Sequence, residues 1–320
     1  MGEIRGIAAL LTLILLMMAF PQVGKAADNP EQAHIFIEGK EIPGNNSSAY
    51  MWDNRLYVPL RFITDRLGGE ASWDGENNQV RLRTSQGDDI IFTADAWKIK
   101  YNGKQYLTDT PIRIKDDATY LPLRYIAEFL HCTVIWDGEQ RAAFFQKVPL
   151  YNVQSGDSLK SISEALHLPE GQLKETNGLQ DDSLQAGQTL KIVIPSIIKN
   201  KDGMQDFYLL AQLIDAEAGY EPYKGQIAVG DVVINRVQDS RFPNSIREVV
   251  YASGQFTPAM NGTLETIEPK PSALKAAAEV MQGVNIVEGA LYFYNPGVNS
   301  GGFFASRQFI AQIGSHRFVK

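Results

Sequence analysis

The 320-residue sequence predicts a multidomain protein in which two small α+β units precede a mostly helical domain. Three observations support this prediction. A motif recurs in the first half of the chain, a unit of under fifty residues follows it, and the last third holds apolar stretches with helical spacing. We expect domains at residues 33–147, 150–195 and 205–320, with a linker at 196–204.

The first 26 residues are predicted to be a secretory signal peptide. Arg5 precedes an apolar run from Ile7 to Phe20, and small residues follow this run. The run is short for a membrane span, although an uncleaved anchor is the alternative interpretation. We therefore expect an exported protein.

Composition excludes several classes of protein. The net charge of −7 argues against nucleic acid as a partner, because such binding relies on Lys and Arg to neutralise phosphates. Cys132 is the only cysteine, so the chain cannot form an internal disulfide and must rely on packed cores. Four scattered His residues provide no zinc-binding spacing, and we expect no metal and no cofactor.

The residues after the signal peptide contain an internal repeat. Residues 57–63, YVPLRFI, reappear as residues 120–126, YLPLRYI, and the Trp-Asp-Gly-Glu of residues 73–76 reappears at 136–139. Both pairs are 63 residues apart, which indicates a duplicated unit of strand, helix, strand and turn. This α+β domain resembles the stalk found at the amino end of copper amine oxidases. His34 and His131 are isolated, so we predict a structural or wall-associating role without copper.

Residues 150–195 predict a strand–helix–helix–strand unit. A strand ends at Ser155-Gly156-Asp157, Asp157 is placed to cap the next helix, and a final strand follows the turn at Gly187. The unit strongly resembles a LysM module, which binds chains that contain N-acetylglucosamine. The resemblance implies a sugar groove between two loops, formed by Gly156, Asp157, Ser158, Leu184, Ala186 and Gly187.

The third domain begins with a helix that carries a carboxylate on its apolar face. Leu210, Leu213, Ile214 and Glu217 recur at spacings of three and four residues, so they share one side of the helix. Dehydration there would raise the pKa of Glu217 toward the range that a general acid needs. The alternative is a Glu at the edge of the stripe that is either solvated or paired with Lys224 or Arg236. A turn at residues 219–222 and a second apolar helix from Tyr223 would form one wall of a cleft.

Five spaced blocks of this domain resemble the SleB-type cell wall hydrolases, the spore-cortex lytic enzyme family. The blocks are residues 216–229 with Asn235-Arg236, 242–244, 254–262, 292–296 and 313–318. The chain departs from the family pattern at Tyr220, where a Gly often precedes the Glu-Pro pair. The resemblance implies a mostly α, lysozyme-like or lytic-transglycosylase-like fold.

The resemblance also implies site residues. Glu217 takes the catalytic role, while Glu221, Asp215 and Asp231 are weaker candidates for a second carboxylate, the two Asp residues being better explained as charges on an exposed face. Tyr294 either packs in the core or stacks on a sugar. The polar residues suited to bind N-acetyl groups are Gln226, Asn235, Gln255, Thr257, Asn261 and Asn295.

Together these features predict a secreted, wall-associated enzyme that cleaves peptidoglycan between N-acetylmuramic acid and N-acetylglucosamine. A lytic transglycosylase, which works with one carboxyl group and leaves 1,6-anhydro ends, fits the single persuasive Glu217. A hydrolytic muramidase and a non-catalytic wall-binding scaffold are the alternatives. The family suggests spore cortex and germination, although the amino-terminal domains leave a vegetative wall open as the target.

Overall fold

The computed structural model describes residues 33–42, 49–52, 55–116, 118–298 and 302–320, so the predicted signal peptide lies outside the described residues. The chain divides into two compact units, Met1–Lys201 and Asp202–Lys320. The stalk-like domain and the LysM-like module, which the sequence predicts as separate domains, both belong to the first unit. None of the helices in the described ranges is long and apolar enough to cross a membrane.

Three sheets build the stalk-like domain. The strands are β1 His34–Ile37, β2 Lys40–Glu41, β3 Tyr50–Trp52, β4 Arg55–Pro59, β5 Gly69–Asp74, β6 Gln79–Thr84, β7 Asp89–Thr93, β8 Lys98–Tyr101, β9 Lys104–Leu107, β10 Arg113–Lys115, β11 Ala118–Pro122, β12 Cys132–Asp137 and β13 Ala142–Lys147. β5 to β9 form a five-stranded antiparallel meander, and two four-stranded sheets have the orders β12-β13-β1-β2 and β10-β11-β4-β3. The parallel pairing of β1 with β13 joins the first strand of the domain to its last.

The two copies of the repeated motif occupy neighbouring strands. β4 leads into helix α1 (Leu60–Leu67), and β11 leads into α2 (Leu123–Phe129), with Pro59 and Pro122 as the N-caps. β4 and β11 pair with each other, and Val58 lies opposite Leu121. Both of these side chains are fully buried, so the repeated residues form the centre of the domain core.

The LysM-like module has the predicted order of elements. They are β14 Tyr151–Asn152, α3 Leu159–Leu166, α4 Glu170–Thr176 and β15 Thr189–Leu190. The helix cap differs from the prediction, because Ser158 and not Asp157 is the N-cap of α3, in a capping box with Ser161. Asp157 instead accepts hydrogen bonds from the Gln154 N–H and the Tyr151 hydroxyl, both at 2.8 Å.

A buried ion pair joins the two parts of the first unit. Lys191, at the end of the module, pairs with Asp88 of the stalk-like domain, and their side chains are 14% and 4% exposed. Asn102 Nδ2 donates a further bond of 2.7 Å to Asp88. Tyr106 of β9 also donates to Glu175 of α4. Because these groups are dehydrated and mutually satisfied, the module is fixed to the stalk-like domain.

The predicted linker at 196–204 is helical in the structure. Helix α5 covers Ser196–Lys199, and α6 begins at Lys201. Ile197 and Ile198 are buried, and Glu128 accepts bonds from the backbone and hydroxyl of Ser196. The boundary between the two units, after Lys201, falls within this segment, while Ile197 and Ile198 pack into the core of the first unit.

The second unit contains helices and a three-stranded sheet. Its elements are α6 Lys201–Ala218, α7 Tyr223–Gln238, α8 Ile246–Val250, α9 Thr257–Met260, α10 Pro271–Met281, β16 Tyr292–Tyr294, α11 Gly302–Ala305, β17 Phe309–Ile313 and β18 His316–Val319. The order of the strands in the sheet is β16-β18-β17. α7 is buried on most sides, and a Cβ at Gly230 would lie 3.0 Å from both Ile214 and Val280. Gly230 therefore permits the close packing of α6, α7 and α10.

Replacing Asp88 by Ala should destabilise the first unit by about 3–5 kcal/mol, because the buried Lys191 ammonium would lose its partner. Chemical unfolding of the full chain, followed by a probe in the first unit, measures this loss. The matched control is Asp182→Ala, which removes an ion pair to Lys174 whose Asp side chain is 65% exposed and should cost less than about 1 kcal/mol. Equal losses in the two variants would contradict the assignment of Lys191 and Asp88 as a buried bridge.

Candidate active site

Glu217 occupies the last turn of α6, where the sequence predicts it. Leu210, Leu213 and Ile214 are fully buried, so the apolar face of the helix packs into the core as far as the final turn. The Gly219 N–H bonds to the Asp215 carbonyl at 2.9 Å and closes the helix. Glu217 follows the buried stripe and is itself half-buried.

The surroundings of Glu217 favour its protonated form. Burial alone raises the pKa of this carboxyl group above the ordinary value of 4.5. Within the ranges that the structure describes, the side chain has no hydrogen-bond or ion-pair partner to oppose this effect. A dehydrated carboxyl group of this kind can hold a proton closer to neutral pH, as general acid catalysis requires.

Glu221 is engaged in a structural contact. Its carboxylate accepts a 2.9 Å bond from the Ser315 N–H and a second bond from the Ser315 hydroxyl, in the turn between β17 and β18. These hydrogen bonds lower the pKa of Glu221, with the hydroxyl bond as the largest cause. A Cβ at Gly314 would overlap this carboxylate, so the turn closes tightly on Glu221.

Asp215 lies in an ion pair and not on an exposed face as predicted. Its side chain is 9% exposed and lies 3.4 Å from Lys270 Nζ. The backbone N–H of Lys270 also donates to Asp215 at 3.2 Å. Asp215 thereby fixes the segment before α10 against the end of α6.

Asp231 is also misplaced by the sequence prediction, because it is fully buried in α7. It accepts a 2.7 Å bond from the Ile286 N–H, and burial raises its pKa to about 6. The polar pattern of the helix resembled a solvated face, but a loop covers it. Asp231 and Asn235 hold this loop, which runs from α10 to β16.

The predicted sugar-binding residues divide into two groups. Gln226 and Asn235 are buried, and the Asn235 amide bonds to the Val287 and Ala290 carbonyls at 3.1 and 3.0 Å. Asn285 donates to the remaining oxygen of Asn235, so this side chain positions the loop. Gln226 donates to the Glu221 carbonyl at 3.3 Å, while its Oε1 atom is buried without a partner among the described residues.

The other predicted residues lie on or near the surface. Gln255, Thr257 and Asn261 are exposed around α9, and Asn261 accepts bonds from Thr263. The segment around α9 contacts β16, because Phe256 stacks on Phe293 of that strand with ring centroids 6.4 Å apart. These three polar residues are therefore accessible on a loop whose aromatic anchor is fixed.

Strand β16 carries Tyr294 toward the end of the sheet that contacts Glu221. Tyr294 pairs with Arg317, which is two residues after Ser315. Its half-buried ring stacks on Phe304, with centroids 4.9 Å apart and an angle of 11°. Asn295 follows and accepts a 2.8 Å bond from the Gly297 N–H. Glu217, Gln226, Tyr294 and the β17–β18 turn thus belong to one end of the unit, while Asn235 lies near the other end of α7.

Sequence analysis missed the environment of Arg236. This guanidinium is 4% exposed and lies 5.2–5.3 Å from the ring centroids of Phe242, Phe256 and Tyr292. It donates a 2.7 Å bond to the Leu291 carbonyl, and burial lowers its pKa to about 10. The Asn-Arg pair at the helix end was a visible signal, but the three rings come from distant parts of the chain.

A polar cavity of about 340 Å³ opens near the carboxyl end of α7, with Asn235, Asp239 and Lys320 in its lining. It is separated from Glu217 by most of the length of that helix. No group of three or more His, Cys, Asp or Glu residues that could hold a metal ion occurs in the part of the chain described above.

The two predicted sugar-binding loops of the LysM-like module lie together. Tyr151 pairs with Leu190, and the ladder continues as Gly187 N–H bonds to Val153 O at 2.8 Å. Gly156 and Gly187 both have positive φ angles, of 91° and 87°, which allow the two turns at the same end of the strands. Gly156, Ser158, Ala186 and Gly187 are exposed, whereas Asp157 and Leu184 are half-buried.

Comparisons with known protein families match all three parts of the chain. The family described as Cell Wall Hydrolase matches residues 220–319, which begin three positions after Glu217. The copper amine oxidase N-terminal domain matches residues 36–145, and the LysM domain matches residues 151–193. These matches define the class of protein as a peptidoglycan-cleaving enzyme with a wall-associated module.

Relatives narrow this class to one family. A spore cortex-lytic enzyme of Bacillus cereus is 32% identical over 247 residues, covering 76% of this chain and 87% of the relative. That of Oceanobacillus iheyensis is 30% identical over 151 residues, and the match spans 47% of this chain and only 53% of the relative. The chain belongs to the spore cortex-lytic enzyme family.

A solved structure also matches the last part of the chain. It is the catalytic domain of a germination-specific lytic transglycosylase, SleB, from Bacillus anthracis. The match is 33% identical and covers 36% of this chain and 93% of that domain, with a TM-score of 0.34.

Replacing Asp231 by Asn should change how stability depends on pH. The folded state raises the pKa of Asp231 from 3.8 to about 6, so the wild type loses stability as pH rises through this window. Relative to Asp231→Asn, the loss between pH 3.5 and 7 should be on the order of 3 kcal/mol. Urea unfolding at a series of pH values measures it, with the exposed Asp202→Asn as control. Parallel curves for wild type and Asp231→Asn would contradict the raised pKa.

Proposed function

We propose that this protein is a secreted lytic transglycosylase that cleaves glycan strands between N-acetylmuramic acid and N-acetylglucosamine. The observation that carries this proposal is the half-buried Glu217, whose pKa is raised by burial alone. Such a group can donate a proton and then accept one, which are the two tasks that a single-carboxyl mechanism assigns to one residue. The products would be 1,6-anhydromuramic ends.

The proposed reaction has two proton transfers. Protonated Glu217 donates its proton to the glycosidic oxygen, and the bond between that oxygen and C1 of the muramic residue breaks. The Glu217 carboxylate then accepts the proton of the muramic C6 hydroxyl. As that proton leaves, the C6 hydroxyl oxygen forms a bond to C1 of the same sugar. The carboxyl group ends in its starting state, so no water is consumed and no second carboxylate is required.

The other acidic residues support this choice over a hydrolytic muramidase. A hydrolase usually needs a second carboxylate as base or nucleophile. Glu221 is bonded to Ser315, Asp215 is paired with Lys270, and Asp231 is fully buried against the loop that it holds. Each of these side chains has a structural partner, which leaves Glu217 as the best candidate for the chemistry.

We further propose roles for the predicted sugar-binding residues. Gln226, Gln255, Thr257, Asn261, Tyr294 and Asn295 would contact the glycan strand, and Gln226 offers a buried oxygen without a partner among the described residues. Asn235, whose amide is fully bonded to its loop, would act by positioning that loop.

The first unit would keep the enzyme on its polymeric substrate. In the proposed arrangement, the LysM module binds N-acetylglucosamine-containing strands through the loops at 156–158 and 184–187. A weak binder tethered to a catalytic domain raises the local substrate concentration. We propose that the stalk-like domain is a duplicated structural unit, that residues 1–26 direct export and are then removed, and that the enzyme degrades spore cortex during germination.

Replacing Glu217 by Gln should lower the rate of glycan cleavage by at least about 100-fold, because the amide cannot transfer the proton. Purified cortex and vegetative sacculi, incubated side by side with the mature chain, provide the substrates. Mass spectrometry of the soluble products measures the rate and identifies the ends. The control Glu279→Gln, the same change at a half-buried glutamate on α10, should retain the full rate.

Each product points to a different mechanism. Anhydro ends support the transglycosylase, and reducing ends would favour the muramidase. Sacculi that wild type leaves uncleaved would favour the non-catalytic scaffold. Binding of Glu217→Gln to sacculi should equal that of wild type, because the LysM module is remote from Glu217 in the chain.

A further inference from the structure

Tyr220 is the most exposed large hydrophobic residue of the described chain, although it lies three positions after Glu217. Its relative exposure is 98%. Removing an aromatic ring from water is favourable, so this exposed ring offers apolar surface to a ligand that covers it. Tyr220 lies in the turn that closes α6, the helix whose last turn carries Glu217.

Among the described residues, the Tyr220 ring contacts the ammonium of Lys270. Lys270 Nζ lies 4.1 Å from the ring centroid, in a cation–π contact. The same ammonium is 3.4 Å from Asp215 Oδ1 and donates a 3.4 Å bond to the Gly219 carbonyl. Lys270 therefore contacts the Asp215 carboxylate, the Gly219 carbonyl and the Tyr220 ring, so its ammonium lies beside one face of an otherwise exposed ring.

Gly219 is what permits this arrangement. A Cβ at this position would overlap the Asp215 carboxylate and lie 3.1 Å from Lys270 Nζ. Only Gly lets the ion pair close directly under the turn while the next side chain points outward. The turn thus has its small residue at 219 and its large aromatic residue at 220.

We propose that Tyr220 is a stacking platform for a pyranose ring of the glycan strand, next to the bond that Glu217 cleaves. The faces of β-linked amino sugars carry axial C–H groups and are apolar, while their edges carry hydroxyl and N-acetyl groups. An exposed Tyr matches both, because its ring contacts the face and its hydroxyl bonds to the edge. This role rests on the proposed function, since it takes the glycan strand as the ligand.

Kinetics with soluble, peptide-free glycan strands test the platform. Tyr220→Ala should raise KM roughly tenfold, which corresponds to about 1.4 kcal/mol of lost stacking, with a smaller change in kcat. Tyr220→Phe keeps the ring and should restore most of the affinity. The matched control Phe309→Ala removes another exposed aromatic ring, 58% accessible, from the same unit and should leave KM unchanged. Thermal unfolding should be the same in all four proteins, because the removed rings are exposed.

A second measurement separates this inference from the proposed function. The full chain with Glu217→Gln, carrying ¹³C-labelled tyrosine, is titrated with the same strands, and the Tyr220 resonances are assigned by their loss in Tyr220→Phe. Shifts of these resonances on binding support the platform even if the wild type releases no product or gives reducing ends. Unmoved Tyr220 resonances at saturating strand concentration, or an unchanged KM in Tyr220→Ala, would overturn it.

Discussion

The dehydration of one carboxyl group, that of Glu217, is the constraint on which the catalytic account depends. The apolar stripe of α6 carries Glu217 to the edge of the core, where burial raises its pKa. A fully exposed Glu would remain ionised near neutral pH, and a Glu bonded to Ser or Lys would be still more acidic. The half-buried position is a compromise, since the group is dehydrated enough to hold a proton and accessible enough to transfer it.

The neighbouring polar groups make this compromise possible because they satisfy one another. Ser315 donates hydrogen bonds to Glu221, and Lys270 forms an ion pair with Asp215. The loop after α10 donates a backbone hydrogen bond to Asp231. These bonds fasten the β17–β18 turn, the segment before α10 and the loop before β16 to the pair of helices. These side chains are thus bonded to other parts of the unit, whereas Glu217 has no hydrogen-bond or ion-pair partner among the described residues. Polar groups also satisfy one another in the first unit, where the ion pair of Asp88 and Lys191 fixes the LysM module to the stalk-like domain.

Much of the fold was predictable because local patterns decide it. The apolar stripe before Glu217 and the helix break at Pro222 predict α6 and α7. The repeated motif predicts the two places where a strand leads into a helix, at Pro59 and Pro122. Long-range partners decide the rest. The sequence predicts Asp231 as a surface charge, but a loop distant in sequence covers it. Ile197 and Ile198, within the predicted linker, pack into the core of the first unit through partners that local patterns do not reveal. The aromatic surroundings of Arg236 likewise depend on three separate segments.

A direct titration of Glu217 tests the central claim most sharply. The side-chain carboxyl ¹³C resonance of the full chain, assigned by its absence in Glu217→Gln, is followed by NMR as pH is raised from 3 to 8. Our account predicts a midpoint clearly above 4.5, the ordinary value for Glu. A midpoint at or below 4.5 would mean that water or a partner stabilises the carboxylate, and Glu217 would then lack the property that makes it a general acid.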